Sequence, residues 1–360
     1  MSVESLVTRI TDQLVRLSQV THADVATAVE LVTDLLGSAG QRPLAAGPAW
    51  DSDVSDDHTP VEFSLAFDPA GPPVLRILGE AAVTDPASPA DLTPALAFLR
   101  RQAARHAVSM SRLERVRDLF TTDRPQGTFG MWHSLILRTT PEFKVYLNPE
   151  IHGVARSVPL VQEGLGRLGA GAAYRAVCEQ ALRPGEIGRG DRLTFFALDL
   201  RDTDTARIKL YVSQHDAEPA DLARAAAVVP GADPAEVVAF CESAAGFAGP
   251  YDRRPIISSY TFVAQAARPV GYSVYVPIRS YVADDRQAYD RVHTLLGRYG
   301  FDTDRLEAAV AAVTSRPLED GVGLVAHVSL RIGPPSPGVS IYLSSEAYGV
   351  GVARRRIPAH

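Results

Sequence analysis

Residues 207–213 read Arg-Ile-Lys-Leu-Tyr-Val-Ser. In an extended strand, side chains at i and i+2 share a face. Arg207, Lys209 and Tyr211 therefore project one way, and the apolar Ile208 and Leu210 project the other. The same step recurs along the chain. FKVYLNP (143–149) sets Lys144 two residues before Tyr146, GYSVYVPI (271–278) sets Ser273 before Tyr275, and GVSIYLSS (338–345) sets Ser340 before Tyr342. In PVLRILGE (73–80), Arg76 and Leu78 hold the two positions. Successive members of the series Arg76, Lys144, Lys209, Ser273 and Ser340 are 68, 65, 64 and 67 residues apart. Loops of independent origin do not keep so steady a period.

Each of these segments follows a second alternating run, across a short polar turn. The leading runs are VEFSLAFD (61–68), MWHSLILR (131–138), LTFFALDL (193–200), ISSYTFVAQ (257–265) and GLVAHVSLRI (323–332). Paired runs of this kind predict β-hairpins. Between hairpins the pattern turns helical, as in PALAFLRRQAARHAVSMSRLERVRDLF (94–120) and DRQAYDRVHTLLGRYG (285–300). Five helix–helix–strand–strand units supply ten strands, enough to close a barrel with room inside for a ligand. The reading is an α+β fold: a ten-stranded antiparallel β-barrel surrounded by a ring of α-helices, with residues 1–360 as one domain. Its apolar strand face lies under the helices, and its polar face lines the lumen.

Composition narrows the function. The 360 residues are 46% hydrophobic and 22% charged, ordinary for a soluble globular protein. No apolar run reaches the roughly 18 residues that cross a bilayer. The N-terminal MSVESLVTRITDQLVRL alternates charged and apolar residues as an amphipathic helix does, unlike a secretory signal. A net charge of −6 and no Arg-rich stripe with interleaved aromatics argue against nucleic acid. Cys178 and Cys241 fall in helical patterns and read as reduced thiols of a cytoplasmic protein. No CxxC or Cys/His cluster offers zinc spacing.

A lumen carrying Arg76, Lys144, Arg207 and Lys209 demands an anionic guest, since unpaired buried charge costs several kcal/mol. The chain's two lysines, Lys144 and Lys209, both stand two residues before a tyrosine on a second strand, although arginine serves nearly everywhere else as the cation. The bland reading, edge-strand charges facing water, leaves the tyrosines unexplained. Several cations and phenol hydroxyls bind a multidentate anion, and aromatic faces shield a carbocation. Together they suit an allylic diphosphate that ionises, with Arg and Lys neutralising the leaving group without a metal ion.

The segments DDHTPVEFSLAFD (56–68), FKVYLNPEIHG (143–153), ARIKLYVSQHD (206–216), GYSVYVPIR (271–279) and GVSIYLSSEAYG (338–349) resemble the aromatic prenyltransferases of the dimethylallyltryptophan synthase type, in particular the bacterial indole prenyltransferases. The resemblance runs from about residue 50 to 350 and implies the same barrel, known in that family as the ABBA fold. It implies transfer of a dimethylallyl group from its diphosphate to the indole of tryptophan or a derivative, in secondary metabolism. No cofactor, metal or obligate protein partner is implied. The diphosphate ligands would be Arg76, Lys144, Arg207 and Lys209, and the tyrosine shield Tyr146, Tyr211, Tyr275 and Tyr342. Glu62 would accept a hydrogen bond from the indole N–H, raising ring nucleophilicity and fixing its orientation. Trp132 would stand with Glu62 against the acceptor.

Two departures from the family pattern matter. Ser273 stands where fungal relatives often carry glutamine, so one diphosphate contact is weaker or water-mediated. Some tryptophan C4-prenylating members use a lysine on an early strand as base; here that neighbourhood holds Met131, Trp132 and His133. C4 is therefore not the expected target, and Glu62, or His133 if it points inward, would take the ring proton, with His327 a weaker candidate.

Two motifs are set aside. Gly164-Leu-Gly-Arg-Leu-Gly169 matches GxGxxG but lacks a βαβ setting, and reads as a glycine-rich helix start. Asp284-Asp285 reads as the N-terminal cap of a solvent-facing helix, where acids favour the dipole. Two rival functions remain: a non-catalytic barrel binding an anionic or aromatic metabolite, and a prenyltransferase with a phenolic acceptor.

Overall fold

A computed structural model describes residues 4–69, 71–82, 92–184, 190–333 and 337–354. Helices α1 (Leu6–Thr21) and α2 (Val25–Leu36) precede strands β1 (Val61–Phe67) and β2 (Val74–Glu80). Helices α3 (Thr93–Ala103) and α4 (Ser111–Glu114) precede β3 (Met131–Ile136) and β4 (Glu142–Leu147). Next come α5 (Ser157–Arg167), α6 (Gly171–Gln180), β5 (Asp191–Asp199) and β6 (Ile208–Gln214). The fourth unit is α7 (Pro219–Ala227), α8 (Pro234–Ala245), β7 (Ile256–Phe262) and β8 (Gly271–Val276). The fifth is α9 (Asp285–Arg298) and α10 (Asp304–Val313), then β9 (Gly321–Val322), β10 (Val325–Ile332), β11 (Gly338–Ser344) and β12 (Gly351–Val352).

Ten of these strands close into an antiparallel barrel in the order β1-β11-β10-β8-β7-β6-β5-β4-β3-β2, while β9 and β12 pair separately. Closure is made by β1 against β11, with Glu62 opposite Ser344 and Ser64 opposite Tyr342. A closed barrel has no edge strand, so the bland reading of the lysines as edge charges fails. Apolar alternation faces outward as expected: Phe63, Ile77, Val145, Leu210 and Ile341 are fully buried and join one core with Leu14, Phe98, Leu165, Phe240 and Leu296 from the helices. Cutting a side chain such as Phe240 back to alanine here costs about 3–5 kcal/mol. The helix ring closes where α1 meets α10: Gln13 Nε2 donates to the carbonyls of Val313 and Ser345 at 2.9 and 2.8 Å.

Two local readings need correction, and a third gains detail. The helical run 94–120 divides: α3 ends at Ala103, and α4 and a 3-10 turn at Arg117–Phe120 follow. The break is set from outside, since Ser109 N donates to Leu200 O at 3.0 Å, tying the segment to the end of β5. The glycine motif is a helix end rather than a start. Gly164 and Gly166 lie in the last turn of α5, and Gly169 takes φ +77°, which a left-handed exit requires. Asp284 does cap α9, accepting from Gln287 N at 2.8 Å. Asp285, however, is fully buried rather than solvent-facing, paired with Arg316 and accepting from Gly323 N at 2.9 Å.

Candidate active site

Strand parity delivers the lumen. A cavity of about 1260 Å³ opens at one end of the barrel and is lined by Arg76, Lys144, Arg207 and Lys209. Tyr146, Tyr211, Tyr275 and Tyr342 line it too, with Ser273. The structure thus brings together all eight residues that the ladder assigned to a diphosphate and its shield.

The cations are not left bare. Lys144 Nζ lies 3.3 Å from Asp199 Oδ1, and Arg207 Nε donates to Asp199 Oδ2 at 2.6 Å. Burial works against the Asp199 charge, but Lys144 and Arg207 outweigh it and hold the carboxyl well below the usual range. Lys209 has the opposite fate. Burial, then the fields of Lys144, Arg207 and Arg76, drive its ammonium well below the ordinary lysine value. Arg76 Nε is buried without a hydrogen-bond partner. Such a cluster has the chemistry to hold an anion.

Beyond the cations the tyrosines form a continuous arc. Ring centroids are 5.6 Å apart from Tyr146 to Tyr211, 5.6 Å from Tyr211 to Tyr275 and 5.9 Å from Tyr275 to Tyr342. The Tyr146 and Tyr211 hydroxyls lie 3.3 Å apart. Lys209 and Tyr211 lie on β6 and Arg207 stands immediately before it, so the anion site and the aromatic surface share a single backbone segment. Trp132 sits on the same face, stacked on Phe129 at 4.3 Å and 5.3 Å from Phe195. Leu78 and Tyr146 complete this wall.

Glu62 faces the lumen one step past the tyrosines, on the strand that closes the barrel. It is 5% exposed, and burial pushes its carboxyl up to about 8, partly offset by Arg279. His133 does not face the lumen. Its partner in register is Val145, which lies under the helices. Its Nε2 donates to Ala95 O at 3.3 Å, and its ring meets Phe98 edge-on at 4.9 Å. Burial lowers the imidazole to about 4. The expectation that His133 could serve as the base therefore fails: strand parity aims it at α3. His327 does reach the lumen, edge-on to Tyr342, with Nδ1 3.0 Å from Arg279 Nη1.

Sequence reading missed several residues. Asp199 carries the charge balance, and the alternation Phe195-x-Ala197-x-Asp199 in LTFFALDL held its signal. Phe195 and Phe129 were missed with it. Glu80, opposite Trp132 in register, accepts from Trp50 Nε1 at 2.8 Å. Burial raises its carboxyl to about 7 against the pull of that N–H. Arg279 and Asp56 were missed because they lie outside the strands, where parity gives no signal. Among the described residues no group of three or more His, Cys, Asp or Glu side chains is placed to hold a metal ion, and no helix is long and apolar enough to cross a membrane.

The chain matches the family model for tryptophan dimethylallyltransferase over residues 25–309. A solved 6-dimethylallyl tryptophan synthase shares 57% identity and a TM-score of 0.95, covering 99% of this chain and 100% of that one. A 6-dimethylallyltryptophan synthase from Micromonospora olivasterospora, in complex with DMASPP and Trp, is 58% identical at TM-score 0.94, covering 97% of this chain and 99% of that one. A 5-dimethylallyltryptophan synthase from Streptomyces coelicolor is 36% identical at TM-score 0.88, covering 97% and 100%.

Proposed function

The chain belongs to the tryptophan dimethylallyltransferase family and transfers a dimethylallyl group to the indole ring of tryptophan, and we propose that it does so at C6 of the free amino acid without a metal ion. The whole chain acts as one catalytic unit in the cytosol, with no obligate protein partner.

One observation carries the reading: the lumen is ordered along the barrel axis. Cations line the open end, tyrosines the middle, and a buried carboxyl stands past them. Arg76, Lys144, Arg207 and Lys209 take up the charge that develops on the departing diphosphate, the term that most lowers the barrier. The tyrosine arc faces the allylic cation and keeps water from it. Glu62 accepts from the indole N–H, which pushes electron density into the ring and fixes which carbon faces the cation. Attack forms the carbon–carbon bond as the carbon–oxygen bond to diphosphate breaks. The ring proton then passes to the released diphosphate, the basic group held beside C6 at the cationic end, and the electrons of that C–H bond return to the ring. The higher identity to the solved 6-dimethylallyltryptophan synthase structures than to a C5 enzyme supports the assignment of position.

The test is incubation of the purified protein with dimethylallyl diphosphate and L-tryptophan in the presence of EDTA. The expected product is tryptophan heavier by one prenyl unit, with NMR placing the substituent on C6. Loss of turnover with EDTA, restored by Mg²⁺, would overturn the metal-free step; substitution at another carbon would overturn the position.

A further inference from the structure

The chain has two tryptophans, Trp50 and Trp132, and both converge on the carboxyl of Glu80. Trp50 lies on the irregular segment before β1, and its Nε1 donates to Glu80 Oε2 at 2.8 Å. Trp132 stands opposite Glu80 in the register of β2 and β3. Its own Nε1 is buried without a well-formed hydrogen bond. All three residues are more than nine-tenths buried. Strand parity turns Glu80 inward, two steps beyond Arg76 and one beyond Leu78. The intervening Gly79 faces the helices, where a Cβ would run into Leu35 of α2.

A buried carboxyl needs donors. Burial pushes Glu80 up to about 7, and the N–H of Trp50, the hydroxyl of Ser52 and the N–H of Trp132 pull it back in that order. Asp53 adds a smaller upward push, and is itself held by the Thr128 hydroxyl, which donates to Oδ2 at 2.7 Å. Both tryptophan N–H groups therefore act on one acid.

The wall built on Trp132 reaches both ends of the reacting pair. On one side it includes Leu78, the register partner of Glu62. On the other it includes Tyr146, the register partner of Trp132 and the first ring of the tyrosine arc. An indole with its N–H on Glu62 and its reacting carbon turned toward that arc lies along this wall. Stacking on Phe129 holds the plane of the Trp132 ring but does not by itself choose where its N–H edge points. A hydrogen bond at that edge does. We propose that Glu80 is a positioning residue for the transfer: its carboxyl anchors Trp50 and receives the Trp132 N–H, which fixes the ring against which the acceptor lies and so the carbon that meets the cation. The inference rests on the tryptophan prenylation proposed above, and Glu80 acts through Trp132 rather than on either substrate.

The test supplies dimethylallyl diphosphate and L-tryptophan to Glu80→Met, Glu80→Gln, Trp132→Phe and the double variant Glu80→Met/Trp132→Phe. Methionine keeps the length of the side chain but accepts no N–H. Glu80→Met should lower kcat by about tenfold or more, move KM for tryptophan far less, and yield a mixture of ring positions. Glu80→Gln still accepts through its carbonyl and should keep one main product. The double variant should match Trp132→Phe alone in rate and in product mixture, because the two residues act as a unit. With nitrogen-15 in its indole rings the protein gives two Nε1–H signals, which Trp50→Phe assigns. In the presence of unlabelled L-tryptophan, Glu80→Met should move both signals upfield, as the loss of a hydrogen bond does, and Glu80→Gln should move them less. An unchanged ring position in Glu80→Met, additive effects in the double variant, or a Trp132 signal that ignores both Glu80 variants would sink the positioning role and leave the indole reading intact. Should Glu80→Met fail to fold, Trp132→Phe carries the test, since it keeps an aromatic ring without the N–H; a single product at unchanged kcat would sink the role as well. Absence of prenylated tryptophan from the unaltered protein would instead defeat the functional reading itself.

Discussion

Lys144 and Arg207 share one counter-charge: Asp199 lies 3.3 Å from the ammonium and 2.6 Å from the guanidinium. Two of the four lumen cations are thereby held in place before any ligand arrives, in a site whose backbone comes from three adjacent strands. Removing the shared acid by Asp199→Asn leaves both cations uncompensated. Breaking a buried ion pair in this way costs about 3–5 kcal/mol. The expected result is a lower thermal midpoint for the empty protein, largely restored by inorganic diphosphate. The sign with pH follows from the depressed carboxyl. Its stabilising share is present above the ordinary aspartate value and is lost as pH falls through the folded value, so the variant should show a weaker loss of stability in acid.

Lys209 makes a second prediction. Burial and three neighbouring cations lower its ammonium well below the ordinary value, so the empty protein gives up this proton at a lower pH than a free lysine does. A bound diphosphate reverses the local field and restores it. Binding of inorganic diphosphate should therefore take up protons, read as a dependence of the calorimetric enthalpy on the ionisation heat of the buffer. Lys209→Ala should abolish that dependence and weaken binding by about ten- to a hundredfold, the value of a charge-assisted contact. An enthalpy that does not change with buffer would contradict the depressed lysine.

How much of this was legible follows from parity. Lys144, Tyr146, Lys209 and Tyr211 were readable because a closed barrel turns a two-residue period into inside and outside, and the period of the repeat fixed the strand count. Asp199 obeyed the same rule but was overlooked, because an acid among cations does not extend a cationic ladder. His133 was misjudged for the opposite reason: its neighbour Trp132 faces the lumen, so His133 must face α3. Arg279 and Asp56 sit beyond the strands, and only tertiary folding brings residues 223 positions apart into one ion pair. The break after α3 was illegible too, since a carbonyl at the end of β5 imposes it.

The outward setting of His133 is testable. Its imidazole packs on Phe98 and donates to a carbonyl of α3, far from any reacting atom. His133→Gln should leave kcat/KM within about twofold and cost about 1 kcal/mol of stability through the lost contact. Burial holds the folded imidazole near 4, below its ordinary value, so the unfolded chain binds the extra proton between about 4 and 6.5. Stability then falls as pH drops through that window, and thermal melts of the variant should lose this slope. A large fall in kcat would place the residue in the chemistry after all.

The tyrosine arc separates shielding from binding. Tyr211 touches both neighbours in the arc, with ring centroids 5.6 Å away on either side. Tyr211→Phe keeps the aromatic face, whereas Tyr211→Ala opens a gap beside the cation. The alanine variant should divert dimethylallyl diphosphate into the free prenyl alcohol, measured as the ratio of alcohol to prenylated tryptophan. The phenylalanine variant should keep a ratio close to that of the unaltered protein. Equal ratios in the two variants would mean that the hydroxyl, and not the ring, guards the intermediate.

Glu62 sets stability and activity against each other. Burial raises its carboxyl to about 8, with Arg279 pulling the other way, so near neutrality the empty protein holds it largely protonated. A protonated acid is a poorer acceptor for the indole N–H, and kcat/KM for tryptophan should climb with pH through an acidic limb near 8. The stability contribution has the opposite slope. A carboxyl whose folded value is raised binds its proton more tightly in the native state, so its share is full below the ordinary glutamate value and is lost as pH rises through about 8. Glu62→Gln removes both slopes at once. Its carbonyl still accepts from the N–H but without charge, so kcat/KM should drop by about ten- to a hundredfold and become flat across this range. A limb that persists in the glutamine variant would assign the titration to another group, and a rate unchanged by the substitution would take the N–H contact out of the mechanism.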